Sequence, residues 1–134
     1  MRASTAALIA AVAAALVIGA GYGADAYNRQ QAIKAEAAAL TGGDPNRAPE
    51  LMARYGCVGC HTIPGVPRAT GRVGPPLRQL AGRVYLGGVL VNRPDNLVRW
   101  IVDPRAVSPK TAMPATGISP SEARHVAAYL LTLR

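Results

Sequence analysis

The sequence predicts an all-α domain, with three main helices around a core that the protein does not fill by itself, behind an N-terminal apolar helix. Three observations lead there. Apolar residues in the C-terminal two-thirds recur at helical spacing between capping and stop signals, and no stretch alternates as a convincing strand would. The chain of 134 residues has no Phe, one Trp and five Tyr. A core of mostly Ala, Val and Leu buries little area per side chain, so a domain of this size is marginal without a staple, a metal or a cofactor. Finally, Ala3 to Ala24 is a run of 22 residues without a formal charge.

Taken in order, residues 1–24 read as a transmembrane anchor or a signal peptide. The Ala24-Asp25-Ala26 pattern suits a cleavage site, whereas the uncharged length reaches across a bilayer with Arg2 on the cytoplasmic side. Residues 25–48 favour the uncleaved reading. Asp25 to Leu40 is rich in Ala, Gln, Glu and Lys, a helical stalk that Gly42-Gly43 ends and Thr41–Asn46 links onward. A stalk serves a domain held on a membrane. No Cys lies near the end of the apolar run, so lipid anchoring is not expected.

Residues 49–134 form the predicted domain. Pro49 to Tyr55 is a helix, and Pro75 to Ala81 a short one ending at Gly82. Pro94 to Val102 places Leu97, Trp100 and Ile101 on one face before the stop at Asp103-Pro104. Ser119 to Leu133 has the strongest signature. Ser119 and Glu122 make a capping box, Pro120 suits the first turn, and Ala123, Val126, Ala127, Leu130 and Leu133 form one stripe.

Charge is strongly positive, 15 Lys and Arg against 7 Asp and Glu, for a net +8. Without residues 1–26 the balance is unchanged. The cations are single arginines spread along the chain, which argues for a broad positive face and against a nucleic-acid-binding arm.

Cys57-Val58-Gly59-Cys60-His61 is a C-x-x-C-H signature for covalent haem attachment. Two thiols three residues apart can each form a thioether with one haem vinyl group, and the adjacent imidazole is then held at the iron. A structural zinc site wants four ligands, and only His125 could join these three. A redox dithiol of the thioredoxin kind would need a βαβ context that is absent. A disulfide closing so small a loop would stabilise little. One covalent haem c is therefore expected.

For the second axial ligand the candidates are Met52, Met113 and His125. Met52 lies too close to the motif to cross to the other haem face and reads as core. His125 reads as a satisfied surface or boundary histidine on the last helix. Met113 sits in the loop Ser108–Pro114, where Pro114 biases it away from helical geometry. His61 and Met113 are thus the expected iron ligands, a pair that raises the potential and leaves no open coordination site.

With these motifs the chain resembles the class I mono-haem cytochrome c family over residues 48–134, in its membrane-anchored bacterial form. The resemblance implies that fold: three main helices around the haem. Gly74-Pro75-Pro76-Leu77 is similar to the family segment in which Pro75 would accept a hydrogen bond from His61. Arg83 and Thr111 match positions that contact haem propionates, and Tyr129 matches an aromatic that packs on the first helix. Where mitochondrial-type members carry a propionate-bonding Trp, this chain has Asn92; Trp100 reads as core more than haem wall. Leu90 to Trp100 is similar to cytochrome c domains of haem–copper oxidase subunit II.

The resemblance implies a one-electron carrier, not an enzyme, in a bacterial respiratory chain. Its partners would be redox proteins, first a terminal oxidase. The haem domain would be held at the periplasmic face of the inner membrane by the N-terminal helix. The alternatives are a haem subunit of a periplasmic dehydrogenase, or a haem enzyme or gas sensor with a displaceable Met113.

Overall fold

The computed structural model describes residues 2–134, with side chains from Ser4 onward. Met1 and the side chain of Arg2, the residue expected to stay cytoplasmic, lie outside the described residues. The chain divides into two compact units, the first ending at Ile33 and the second running from Lys34 to Arg134.

The described residues of the first unit are helical, as the larger part of α1 (Arg2–Thr41). Ala and aliphatic residues dominate the helix despite Gly19, Gly21 and Gly23, and the polar residues from Asp25 onward continue it. The helix is long and apolar enough to cross a membrane. Leu8, Ile9, Val12, Leu16, Val17 and Ile18 are all exposed, so the segment has an apolar surface that the protein does not cover. Asp25 and Arg29 pair at 2.5 Å across one turn of the polar part.

The second unit starts with the last turns of α1. Ala37 and Thr41 are buried there, and Thr41 Oγ1 donates to the Ala37 carbonyl at 2.8 Å. The compact unit therefore begins earlier than the boundary at residue 49. Asp44 caps a 3-10 turn, Pro45–Arg47, and its N–H donates to His125 Nδ1 at 2.7 Å. Arg124 donates to the Thr41 carbonyl, and Arg134 pairs with Glu36. Within the second unit, residues 36–44 of the segment read as stalk and linker are thus tied to the C-terminal end by bonds too distant in sequence to leave a periodic signal.

Helices α2 (Ala48–Arg54), α4 (Pro94–Val102) and α6 (Pro120–Leu131) are the three main helices of this unit. Between them lie two single turns, α3 (Cys57–Cys60) and α5 (Pro104–Val107). The α6 capping box is formed, Ser119 Oγ accepting from the Glu122 amide while the Glu122 carboxylate accepts from the Ser119 amide. Such a cap is worth about 1 kcal/mol. Ala123, Val126, Ala127 and Leu130 face inward and meet Leu51 and Met52 of α2 and Leu97 and Ile101 of α4.

Two local expectations are corrected. Pro75 to Ala81 is not helical; only Leu80–Gly82 forms a 3-10 turn, preceded by Gln79 at φ 54°. Pro76 disfavours helical geometry at Pro75, and the two prolines offer no N–H. Strands are also present: β1 (Tyr85–Leu86) and β2 (Leu90–Val91) pair antiparallel, Tyr85 opposite Val91. Gly87 and Gly88, both at positive φ, make the turn. Strands of two residues are too short to show alternation.

Candidate haem site

The site begins where α2 stops. Tyr55 leaves the helix, Gly56 turns left-handed at φ 75°, and Cys57–Cys60 then winds one helical turn. One turn brings two thiols three residues apart onto the same side. His61 ends the turn in an extended conformation, its N–H donating to the Cys57 carbonyl at 3.0 Å. The two thiols are not joined to each other. Burial pushes the Cys57 thiol above its ordinary range, the wrong direction for a reactive dithiol.

The His61 ring is fixed from the far side of the loop. Its Nδ1 lies 2.7 Å from the Pro75 carbonyl. A carbonyl can only accept, so Nδ1 is the donor in this contact, which leaves Nε2 as the nitrogen that would face a metal. Gly74 makes this approach possible, because a Cβ there would stand 2.3 Å from the His61 ring. The loop is further held by Gly74 N–H to the Cys60 carbonyl at 2.8 Å and Leu77 N–H to the Thr62 carbonyl at 2.9 Å.

Met113 comes from the long loop between α5 and α6. Thr111 Oγ1 accepts from the Met113 amide at 3.2 Å, and the Thr111 amide closes a turn onto the Ser108 carbonyl. The hydroxyl proton of Thr111 remains available to donate. Arg83 follows the 3-10 turn, and its guanidinium donates to the carbonyls of Pro76 and Arg78.

All seven residues singled out in the sequence, Cys57, Cys60, His61, Pro75, Arg83, Thr111 and Met113, line one cavity of about 380 Å³. Met52 is fully buried and also reaches its wall. His125 is not in the wall; its Nδ1 is taken by Asp44. Trp100, read as core, does line the cavity, with its six-membered ring against Gly87. Asn92 stays outside the wall. Tyr85, Ser108 and Lys110 belong to the wall and went unread. Ser108 and Lys110 lie within the methionine loop itself, which could have drawn attention to them; Tyr85 depends on a hairpin that leaves no periodic signal.

A haem fits this set of residues. Cys57, Cys60, His61 and Met113, which all line the cavity, would supply two thioether positions, an imidazole and a thioether sulfur. Most of the wall is apolar, including Ile63, Leu80, Leu86, Leu97 and Ile101, as the faces of a macrocycle require. Its charged groups are Arg83 and Lys110, with no carboxylate among the lining residues, which suits carboxylate edges. Among the described residues no cluster of His, Cys, Asp and Glu offers a rival metal site.

Comparison with known proteins agrees with this geometry. The family model for cytochrome c matches residues 46–134. The chain is 30% identical over 90 residues to cytochrome c oxidase subunit 2 of Alkalihalophilus pseudofirmus, covering 66% of this chain and 25% of that protein. It is 27% identical over 89 residues to cytochrome c oxidase subunit 2 of a Bacillus species (strain PS3), covering 63% and 25%. The chain thus spans about a quarter of the length of these curated relatives. No solved structure matches it. With a matching family model over two-thirds of its length and the attachment motif in the cavity wall, the chain belongs to the cytochrome c family, as a haem electron carrier with covalently bound haem c.

Proposed function

We propose that this protein passes single electrons to a terminal haem–copper oxidase of a bacterial respiratory chain. In this reading Cys57 and Cys60 form the two thioethers, and His61 Nε2 and Met113 Sδ are the axial ligands. The observation that carries it is the shared cavity: both thiols, the imidazole and the methionine loop face one space.

The bound haem supplies the one-electron couple. The protein residues set its conditions. Pro75 holds the His61 ring in one tautomer and one orientation through the 2.7 Å contact to Nδ1. Thr111 restrains the Met113 backbone, so little rearrangement is needed when charge at the site changes. The apolar wall would keep water away, and Arg83, Lys110 and Thr111 would be the groups available to the haem carboxylates. Held by His61 and Met113, the iron would have no open coordination site, which would favour electron transfer over binding of oxygen or peroxide.

The N-terminal helix would hold the domain at the membrane of its partner, with Arg2 on the cytoplasmic side and the haem domain on the outer face. The oxidase assignment draws on the similarity to two oxidase subunits. Two measurements test the proposal. Acid–acetone extraction should leave the haem on the polypeptide; release of the haem would overturn the attachment. The reduced full chain, reconstituted in liposomes with a haem–copper oxidase, should be reoxidised and sustain oxygen uptake. A chain that stays reduced beside an active oxidase would overturn the assigned acceptor.

A further inference from the structure

Asn92 stands just after the hairpin and outside the cavity wall. Its Nδ2 donates to two carbonyls at once, Leu80 at 2.8 Å and Arg83 at 2.9 Å. Its backbone N–H donates to the Val84 carbonyl at 2.9 Å. Both amide hydrogens are committed, so Asn92 has nothing left to donate to a haem carboxylate. Among the described residues no donor reaches its buried Oδ1, so the protein hydrogen bonds of the side chain are the two it donates.

The segment fixed by these bonds, residues 80–84, carries Arg83. The Arg83 guanidinium reaches back to the Pro76 and Arg78 carbonyls. Residues 74–79 form neither helix nor strand, so no ladder holds those carbonyls in place. One residue before Pro76, the Pro75 carbonyl accepts the His61 Nδ1 proton at 2.7 Å. Asn92, Arg83, the Pro75–Pro76 turn and His61 therefore form one connected frame.

We propose that Asn92 is a positioning residue for the axial imidazole, acting through Arg83 on the Pro75–Pro76 turn. It fixes the direction and strength of the His61 Nδ1–H···O bond, and with it the basicity that His61 presents to iron. The proposal rests on His61 being the iron ligand.

The test uses holoprotein with isotope-labelled histidine; the chain has only two histidines, so the His61 ring is resolved from His125. In the wild type the His61 Nδ1 proton should be shifted by the iron and exchange slowly with solvent. In Asn92→Leu, which keeps the branched shape of the side chain and removes both donors, exchange should quicken by about tenfold, as weakening of the Nδ1–H···O bond by about one hydrogen bond's net worth predicts. The potential should move with it. The α6 amides of Val126 and Ala127 should keep their wild-type rates. Arg83→Leu should behave alike, and the double variant should exchange no faster than Arg83→Leu alone. Unchanged His61 exchange in Asn92→Leu overturns the proposal. Equal acceleration of the α6 amides also overturns it, by making Asn92 a general stabiliser. A wild-type His61 proton with no iron shift would overturn the ligand assignment, and the positioning role with it.

Discussion

Tyr55 donates its hydroxyl to Glu122 Oε2 at 2.9 Å, joining the residue that leads into the Cys57 turn to the first turn of α6. The same oxygen accepts from Ser119 Oγ at 2.6 Å, and Arg54 stands 3.6 Å from the other carboxylate oxygen. The Ser119 and Tyr55 hydroxyls hold the Glu122 carboxyl below its ordinary range, while the carboxylate raises the Tyr55 phenol.

A pH dependence with two limbs is expected from this cluster. A lowered carboxyl stabilises the fold above its unfolded pKa, about 4.3, and that contribution is lost as pH falls through the folded value. A raised phenol contributes below its unfolded pKa, about 10, and is lost as pH rises through the folded value. Glu122→Gln should flatten the acid limb of a melting-temperature profile, and Tyr55→Phe the alkaline limb. An acid limb unchanged in Glu122→Gln would assign that limb to other carboxylates.

Gly74→Ala should fail at haem incorporation more than at folding. Its Cβ would stand 2.3 Å from the His61 ring, so either the imidazole or the loop must move. Moving the loop also breaks the Gly74 N–H bond to the Cys60 carbonyl. The expected outcome is a low ratio of haem to protein, with helical circular dichroism retained. A variant that loads haem fully and keeps the wild-type potential would contradict the geometry around His61.

Met113→Ala should lose the weak near-infrared band of iron–sulfur ligation, lower the potential and let carbon monoxide bind the reduced protein. Met52 is the control, since it also reaches the cavity but is fully buried on α2. Met52→Ala should instead destabilise the domain by about 2–5 kcal/mol, as large-to-small core changes do. A band that survives in Met113→Ala and vanishes in Met52→Ala would exchange their roles.

The parts of this protein legible in its sequence are those whose signal is local. The C-x-x-C-H run, the Ser119–Glu122 capping box and the methionine before Pro114 each carry their meaning within a few residues. The same holds for the helical stripes of α4 and α6. What escaped depends on contacts made at long range. The residues from Lys34 to Ala48 look like a stalk because their partners, His125, Arg124 and Arg134, lie far along the chain. Pro75 to Ala81 looks helical at its ends, but its carbonyls are satisfied by Arg83 and its geometry by two prolines. Tyr85 and Trp100 reach the cavity wall beside a hairpin whose strands are only two residues each.

The positive charge that would meet a redox partner is distributed unevenly around the attachment motif. Arg54, Arg68, Arg72 and Arg78 surround the attachment motif in sequence, but they are not equivalent in the fold. Arg54 is paired with Glu50 at 2.8 Å and lies near Glu122, so its charge is largely compensated. Among the described residues, no carboxylate pairs with Arg68, Arg72 or Arg78. Arg68 sits in the left-handed region at φ 60°, so a substitution there also changes how well the residue tolerates that conformation. Arg72 is the clean probe. It is exposed, beside Val73 of the cavity wall, in a loop tied to Cys60 and Thr62 through Gly74 and Gly71. Electron-transfer encounters rely on small interfaces and long-range charge, and screening limits that reach to about 8 Å at physiological salt. The rate of transfer to an acidic partner surface should therefore fall steeply as salt rises. Arg72→Glu should slow association and weaken the salt dependence while leaving the potential in place. A rate that is flat or rising with ionic strength would remove the acidic partner and leave tethering in one membrane to bring the two redox centres together.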